Sequence, residues 1–311
     1  MSTNTKEKVV FLREEYAEGE GTFKYPDGGK YEGQWKNGEK CGWGIEKLPC
    51  GEKYIGFWRN GKRNGKGVET FSNGQKYAGN WQDGERLGKG IYTWPSGSKY
   101  VGEFKMWNLN GHGTFTYPDG SIYIGEFKDG EYHGQGKFTS PADGDGYEGE
   151  WKNGKKHGVG SHYDKDGQRY EGEWINDMEH GYGKLSIVDL GEYEGQWWNG
   201  RHHGEGTLTF ENGYKISGEW RLGSIIIGSA IWPNGNKYEG EFNDSNWHGQ
   251  GKFSIPDGHH IIGQFSEHEP WDTMEYDKDG VIVGKIVNGI KTIENSSQIT
   301  PKLEVDAPIN S

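Results

Sequence analysis

The chain has 311 residues and a formal net charge of −12, and only 31% of its residues are of the types AVILMFWYC, while 14% are aromatic. So few aliphatic residues exclude a conventional two-layer core, and the acidic balance disfavours nucleic acid, whose phosphates attract a basic surface. Two cysteines are too few for a disulfide framework, which favours a reducing compartment.

The N-terminal segment is predicted to cap the remainder of the chain. Residues 1–16 contain neither an apolar signal core nor twin arginines, and no stretch approaches the length of a membrane span. We therefore expect a cytoplasmic protein that is not secreted. Residues 1–18 form the predicted cap, in which residues 8–12 are either a strand or a short helix.

A short phrase then repeats along residues 19–290. Its copies begin mostly 23 residues apart, at twelve head residues: Tyr31, Tyr54, Tyr77, Tyr100, Tyr123, Tyr147, Tyr170, Tyr193, Ile216, Tyr238, Ile261 and Ile282. A fixed period of this size indicates a stacked array of small units. The fold and the function must therefore be inferred from the unit.

Each unit contains the pattern of a β-hairpin. In the copy that begins at Tyr147, Tyr147, Gly149 and Trp151 alternate with glutamates, which is typical of a strand with one wet face. Asn153-Gly154 then supplies a tight turn, after which a second strand begins. The sequence predicts an all-β fold: an elongated single-layer antiparallel sheet of tandem β-hairpin repeats with an aromatic-lined groove.

Glycines recur at fixed phases in the predicted strands. Because glycine has no Cβ, we expect a neighbouring ring to lie flat across the backbone at these positions, and we expect Trp or Phe of the facing strand at pairs such as Gly65/Gly67. The alternative is that the glycines mark β-bulges.

Two regions depart from the phrase. The copy at Ile216 loses its paired glycines, which predicts a kink or a special contact near residues 225–227. The last copy is apolar on both faces, so we expect self-association through Ile282, Val283, Ile286 and Val287, with coverage by the polar tail, residues 291–311, as the alternative. That tail is predicted to be disordered.

The aromatic face supplies the predicted partner-binding groove. Its candidate residues are Tyr147, Trp151, Tyr170, Trp174, Tyr193, Trp197, Phe115 and Phe127. Aromatic anchors in a desolvated groove are where binding energy concentrates. A second candidate surface consists of basic residues at the hairpin tips, which would contact phosphate or lipid: Lys62, Arg63, Lys155, Lys156 and Arg201.

No pattern in the chain indicates catalysis. The histidines before the paired glycines lie two strands apart in neighbouring units, about 9–10 Å, which is too far for one metal ion. The repeated glutamates lie on the predicted wet face without a cleft. The sequence therefore predicts no enzyme activity, no cofactor and no metal.

The phrase Tyr-Glu-Gly-Glu-Trp-x-Asn-Gly-x-x-His-Gly-x-Gly, at residues 147–160 and 170–183, resembles the MORN repeat (membrane occupation and recognition nexus). The resemblance implies a single-layer sheet and a scaffold role in cytoskeletal or ciliary assemblies, such as radial spoke heads. We therefore expect an adaptor that binds a helical or extended segment of a partner protein, and that forms a homodimer through its C-terminal repeats. The alternative is a membrane adaptor that binds anionic phospholipid through the basic tips.

Overall fold

The structure is a computed structural model that describes residues 10–294. It divides into two compact units, Met1–Glu179 and His180–Ser311. Within the described residues there are 26 strands and one helix, a 3₁₀ turn of three residues. In this part of the chain no helix is long and apolar enough to cross a bilayer.

The first unit begins with a short parallel strand and continues as an antiparallel meander. Strand β1 pairs in parallel with β2, and each later strand pairs with the next one along the chain. The elements are β1 (Val10–Phe11), the 3₁₀ turn (Glu14–Tyr16), β2 (Gly19–Lys24), β3 (Lys30–Lys36), β4 (Glu39–Lys47), β5 (Lys53–Arg59), β6 (Lys62–Thr70), β7 (Lys76–Gln82), β8 (Glu85–Thr93), β9 (Lys99–Lys105), β10 (Asn108–Thr116), β11 (Ile122–Lys128), β12 (Glu131–Ser140), β13 (Asp145–Lys152), β14 (Lys155–Tyr163) and β15 (Arg169–Ile175).

The second unit is a meander of the same kind, and the boundary between the units falls inside its first strand, β16. The strands are β16 (Met178–Ile187), β17 (Gly191–Trp198), β18 (Arg201–Phe210), β19 (Lys215–Arg221), β20 (Ser224–Ile231), β21 (Lys237–Asn243), β22 (Asn246–Ser254), β23 (His260–Ser266), β24 (Glu269–Tyr276), β25 (Ile282–Val287) and β26 (Ile290–Glu294). The predicted all-β, single-layer antiparallel sheet of tandem hairpins is therefore confirmed within each unit.

The hairpins form where the sequence supplies residues that tolerate positive φ. At the tip between β5 and β6, Asn60 has φ 49° and Gly61 has φ 70°, the pair of values that a two-residue hairpin turn requires. The turn that joins one hairpin to the next is closed by a hydrogen bond from Gly74 N–H to Phe71 O. Met106 and Trp107 keep the tip conformation, at φ 47° and 75°, although neither is Asn or Gly.

The structure defines the two ends of the array. At the start, the cap contains a strand and a 3₁₀ turn, and the Phe11 ring covers Gly21 as a head tyrosine does elsewhere. At the end, β26 pairs with β25, so Ile282 to Val287 are not the edge strand that the self-association prediction assumed. Residues 291–294 belong to β26, which corrects the start of the predicted tail; the remainder of the tail, 295–311, and residues 1–9 lie outside the described residues.

One face of each sheet consists of interlocked rings, which we call the ring ladder: the head tyrosines and the aromatic residue four positions after each. Tyr54 is fully buried, and its hydroxyl donates to the carbonyl of Phe57, three residues on, at 3.1 Å. The Tyr54 ring meets Trp58 of its own repeat and Trp81 of the next one edge-on, with centroids 5.1 and 5.3 Å away. The repeat headed by Tyr54 is thereby joined to the following one through its rings.

The paired glycines have two different roles. A Cβ on Gly67, the second of its pair, would lie 2.5 Å from Cζ of Tyr54, so the ring requires glycine there. Gly65, the first of the pair, has φ 84° and lies in the register shift of the hairpin. The ring and bulge explanations therefore each hold for one glycine of the pair, and the ring is the head tyrosine rather than the expected Trp or Phe of the facing strand.

Five tryptophans form hydrogen bonds to the backbone carbonyls of these glycines, whereas the indole N–H groups of Trp35 and Trp58 have no such partner within residues 10–294. Five indole N–H groups each donate to the carbonyl of the second paired glycine of the preceding repeat, at 3.1 to 3.4 Å: Trp81 to Gly67, Trp151 to Gly136, Trp174 to Gly160, Trp197 to Gly183 and Trp220 to Gly206. Buried indole N–H groups usually find such a partner. The glycine is therefore covered by one ring and hydrogen-bonded by another.

The irregular copy at Ile216 fills the corresponding buried position with an aliphatic side chain. Ile225 is fully buried, and it pairs with Trp220 in a shortened register shift, at the place where a kink or a special contact was predicted. In the neighbouring repeat the equivalent position is His202, which stacks on Tyr193 at 3.6 Å with an interplanar angle of 14°. Burial lowers the pKa of His202 to about 4.

We predict that Gly67→Ala lowers the free energy of unfolding by about 3 kcal/mol, the upper part of the range for overpacked cores, because the Tyr54 ring has no room to move. Urea denaturation followed by tryptophan fluorescence measures the loss. The control is Gly154→Ala, where φ is 77° and no atom lies within 4 Å of the new Cβ. There only backbone strain of about 1 kcal/mol is expected, and equal losses in both variants would contradict the role assigned to the ring.

We predict that acidification destabilises the array through His202. The unfolded side chain takes up a proton near pH 6.5 and the folded one only near pH 4, so the stability contributed by the neutral ring is complete above pH 6.5 and is lost as the pH falls towards 4. His202→Tyr introduces the residue that Tyr132 provides in an earlier repeat, and it should reduce the loss of stability between pH 7.5 and 4.5 by about 2–3 kcal/mol.

Thermal denaturation at the two pH values, converted to free energies, compares this variant with the wild type. The carboxylates respond to acid in both proteins, so only the difference reports on His202. His112→Tyr, at an exposed histidine, is the control and should leave the pH dependence unchanged. An unchanged pH dependence in His202→Tyr would contradict the assignment.

Candidate functional site

Seven of the eight predicted groove residues lie in the ring ladder, and Phe115 lies outside it. Phe115 is half-buried, and the other seven side chains are buried, with Trp151 the most exposed of them at 7%: Tyr147, Trp151, Tyr170, Trp174, Tyr193, Trp197 and Phe127. Tyr147 contacts Trp151 and Trp174 edge-on, and Tyr193 contacts Trp197 in the same way. Phe115 packs on Trp94 and Tyr117 instead. The role of the eight residues in partner binding stays a prediction, and their role in the core is what the contacts show.

Cations are inserted between the rings in the first repeats. Arg63 lies over the Tyr54 ring at 4.7 Å and forms ion pairs with Glu46 and Glu69. Arg86 is 5% exposed and pairs with the other oxygen of Glu69 at 3.0 Å. Each buried charge thus has an opposite charge beside it, which buried ions require.

Only some of the basic side chains at the hairpin tips are therefore exposed to solvent. Lys156, like Arg63, turns inward: its Nζ lies 4.8 Å from the Trp174 ring, and burial lowers its pKa. Lys62, Lys155 and Arg201 are exposed. The predicted phosphate-contact set is corrected accordingly, because the side chains of Arg63 and Lys156 pack on the rings of the ladder.

The face opposite the ring ladder carries an exposed row of apolar side chains in the first unit. We call this row the apolar stripe; its members oppose one another on successive strands, and they are Ile45, Ile55, Val68, Ala78, Ile91 and Val101. Thr114 and Ile124 continue it across β10 and β11. Val68, Ile91 and Val101 are each at least 40% exposed. An exposed apolar row of this length on a soluble sheet is typical of an interaction surface.

Lysines border the stripe on both sides. On the side of the connecting turns, the neighbouring row consists only of Lys and Thr: Lys47, Lys53, Thr70, Lys76, Thr93 and Lys99. On the hairpin side lie Trp43, Phe57, Lys66, Asn80 and Lys89. The stripe and the row on the side of the connecting turns contain no Asp or Glu, whereas on the hairpin side Glu103 faces Lys89 from the next strand. None of the six lysines forms an ion pair within the described residues. An acidic chain therefore has a basic, apolar surface here.

The stripe is indented along the hairpin side. One open depression of about 620 Å³ is lined by Trp43, Phe57, Val68 and Ala78, among others, and extends to Lys89. A second, of about 390 Å³, begins at Lys89 and continues past Val101 to Ile124. Because the two share Lys89, they follow the same line across the strands.

The stripe ends where the same row becomes polar. After Ile124 the row continues with Lys137 and Glu148, which form an ion pair at 2.9 Å, and then with Ser161 and Glu171. In the second unit the equivalent row includes Lys184, Glu194, Thr207 and Ser217, and later Ile262 and Met274. In the first unit this apolar row is thus confined to the repeats headed by Tyr31 to Tyr123.

The histidine column and the recurring glutamates were the candidates for metal binding or acid–base chemistry. Three histidines of the column, His133, His157 and His248, accept a head tyrosine hydroxyl at their backbone carbonyls, at 3.3 to 3.5 Å. Within residues 10–294 no group of three or more His, Cys, Asp or Glu side chains could hold a metal ion. The recurring glutamates lie on the open face opposite the rings.

The sequence-based prediction missed the apolar stripe although its signal was present. The residue after the head is aliphatic in four successive copies, as in Ile55, Val101 and Ile124, and is Glu in the next three copies, as in Glu148 and Glu171. The aromatic pattern drew the prediction to the other face. Grouping the repeats by this one position would have identified the surface.

Similarity to solved structures is weak. The TCP domain of SAS-4 (dCPAP) from Drosophila melanogaster, solved in complex with a proline-rich motif of Ana2 (dSTIL), is 15% identical over 58% of this chain and 85% of its own, with a TM-score of 0.22. The TCP10 domain of CPAP from Danio rerio is 11% identical over 85% of this chain and 97% of its own, with a TM-score of 0.19. Likeness at this level carries no argument about function. No curated protein matches the chain.

Sequence similarity to a known repeat is extensive. The model of the MORN repeat matches ten segments, residues 16–30, 31–49, 54–76, 77–99, 100–122, 123–144, 147–169, 170–190, 193–213 and 238–260. The copies headed by Ile216, Ile261 and Ile282 are not matched, yet they form hairpins of the same kind. With most of its length matched and its hairpins in register, the chain belongs to the MORN-repeat family.

Proposed function

We propose that this chain is a non-enzymatic scaffold that binds a partner protein through the apolar stripe and its lysine borders. The observation that carries the proposal is the exposed row from Ile45 to Ile124, which forms on the face where other repeats place glutamate. Selection for solubility alone would favour polar residues there.

The composition of the stripe suits a protein interface. Trp43 and Phe57 oppose each other across β4 and β5 and are about half exposed. Aromatic residues beside an apolar centre and a charged rim are typical of binding surfaces, and large aromatic side chains contribute a disproportionate share of binding energy. The ring ladder, by contrast, is already filled by its own contacts.

The lipid-binding alternative has weaker support. It rests on Lys62, Lys155 and Arg201, which are exposed at hairpin tips. Arg63 and Lys156 are engaged in the ladder, and the net charge of −12 opposes attraction to an anionic membrane. Flotation with phosphoinositide vesicles that is lost on changing the three exposed residues to Ala would restore this alternative.

The setting of the scaffold stays a prediction. A cytoskeletal or ciliary assembly is what the family resemblance implies, and no contact in the structure bears on it. Homodimer formation through the C-terminal repeats also stays a prediction. Of its four candidate side chains, Ile282 is exposed, and Val283, Ile286 and Val287 are partly exposed.

We predict that a photo-crosslinking residue at Val68 or Ile91 captures the same partner from extracts of the source cell, and that Ile55→Glu lowers the yield at least tenfold, because a buried carboxylate would lack a counter-charge in an apolar contact. The control is the crosslinker at Ser161, in the same row beyond the end of the stripe. Mass spectrometry of the crosslinked peptides identifies the site on each protein.

Equal capture from Ser161, or capture that Ile55→Glu does not reduce, would contradict the proposed surface. Circular dichroism must show that each variant is folded, which is expected because the altered side chains are at least partly exposed. Trp151→Ala is a less informative variant, since truncating a buried tryptophan costs about 3–5 kcal/mol and disturbs the sheet itself.

A further inference from the structure

We propose that the occupant of the apolar stripe is an acidic amphipathic α-helix of a partner protein, lying across the strands. The inference rests on the proposed function and specifies the chemistry of the partner. It is based on the charge of the borders, the hydrogen bonding of the sheet and the length and shape of the surface.

The borders require an acidic partner. Lys47, Lys76 and Lys99 line one side of the stripe, and Lys66 and Lys89 line the other, without an ion-pair partner within the described residues. A helix whose apolar face is flanked by Asp or Glu would place carboxylates against the lysine row on the side of the connecting turns. On the hairpin side its carboxylates would meet Lys66 and Lys89, up to the strand where Glu103 takes over. Complementary charge of this kind fixes the orientation of a bound segment and speeds its association.

The hydrogen bonding of the sheet selects a helix over a strand. The backbone groups of β4 to β11 are paired with neighbouring strands on both sides. An extended segment laid across this face would find no backbone partners and would lose its hydrogen bonds to water. A helix satisfies its own backbone and needs only side-chain contacts.

The length of the stripe sets the length of the helix. From Ile45 to Ile124 the row crosses seven strand pairs, which is about 34 Å at roughly 4.8 Å per strand. A helix rises 1.5 Å per residue, so about 22 residues would span that distance. The two depressions, which share Lys89, follow the same line and would receive the large side chains of the helix.

Two other occupants fit less well. A second copy placed stripe to stripe would bring the lysine rows of both copies together, and like charges at an interface are strongly unfavourable. An anionic bilayer would satisfy the lysines, but it is flat and would leave the depressions unfilled. The acidic remainder of the chain would also be held near its surface.

The test uses the full chain and two synthetic helical peptides of about 22 residues, the length set by the helical rise. Both carry the same leucine face; in one the flanking positions are Glu, and in the other they are Lys. Fluorescence anisotropy at physiological salt should show the Glu peptide binding at least tenfold more tightly, with the difference shrinking as salt rises. Lys66→Glu combined with Lys89→Glu should reverse the preference between the peptides.

The matched control is Lys215→Glu combined with Lys252→Glu, which changes the net charge equally on the open face of the second unit. It should keep the wild-type preference. Equal binding of both peptides, or a preference that the stripe variant does not change, would overturn the proposal. So would flotation with phosphatidylserine vesicles, or dimerisation seen by light scattering, if either were lost in the stripe variant.

The outcome separates the two proposals. If crosslinks from Val68 and Ile91 persist while neither peptide binds, the scaffold stands and the helical partner is wrong. If a crosslinked partner is found and its contact segment is extended or basic, the acidic helix is again refuted. If the crosslinks fail as well, both the proposed binding surface and the acidic helix are refuted.

Discussion

The array depends on one contact that recurs in almost every repeat, the head tyrosine ring lying against a glycine that has no Cβ. In the repeat headed by Tyr54 the ring covers Gly67, while Trp81 of the next repeat donates to the carbonyl of that glycine. Edge-on contacts then join Tyr54 to the indoles of two repeats. Because aromatic rings bury a large area each, a single layer can hold its strands together without a second layer packed on it.

The same requirement explains what the sequence could predict. Alternation over Tyr147 to Trp151 and the Asn153-Gly154 turn define a hairpin without any knowledge of tertiary contacts, so the fold could be predicted from local pattern. The different roles of Gly65 and Gly67 could not be predicted, because a bulge glycine and a ring-covered glycine look alike in the sequence. Only the register and the positive φ of Gly65 distinguish them.

The candidate site was harder to predict for a physical reason. A sequence pattern shows that a ring is apolar, but it does not show whether neighbouring rings already fill the space around it, as they do at Trp151 and Trp174. Nor does it show that Arg63 and Lys156 insert between rings instead of extending into water. The apolar stripe depends on side chains from successive repeats meeting in register, and that relation becomes visible when the strand pairs are known.

The separation of the two faces has a consequence for how such arrays diversify. A substitution at Ile55 or Val101 alters the open face and leaves the tyrosine–glycine contacts behind it intact, because alternate residues of a strand point to opposite sides. Copies of the repeat can therefore drift, be duplicated or be exchanged in recognition while inheriting the same interior. The length and the charge of the open face can therefore change one repeat at a time while the fold of every repeat is retained.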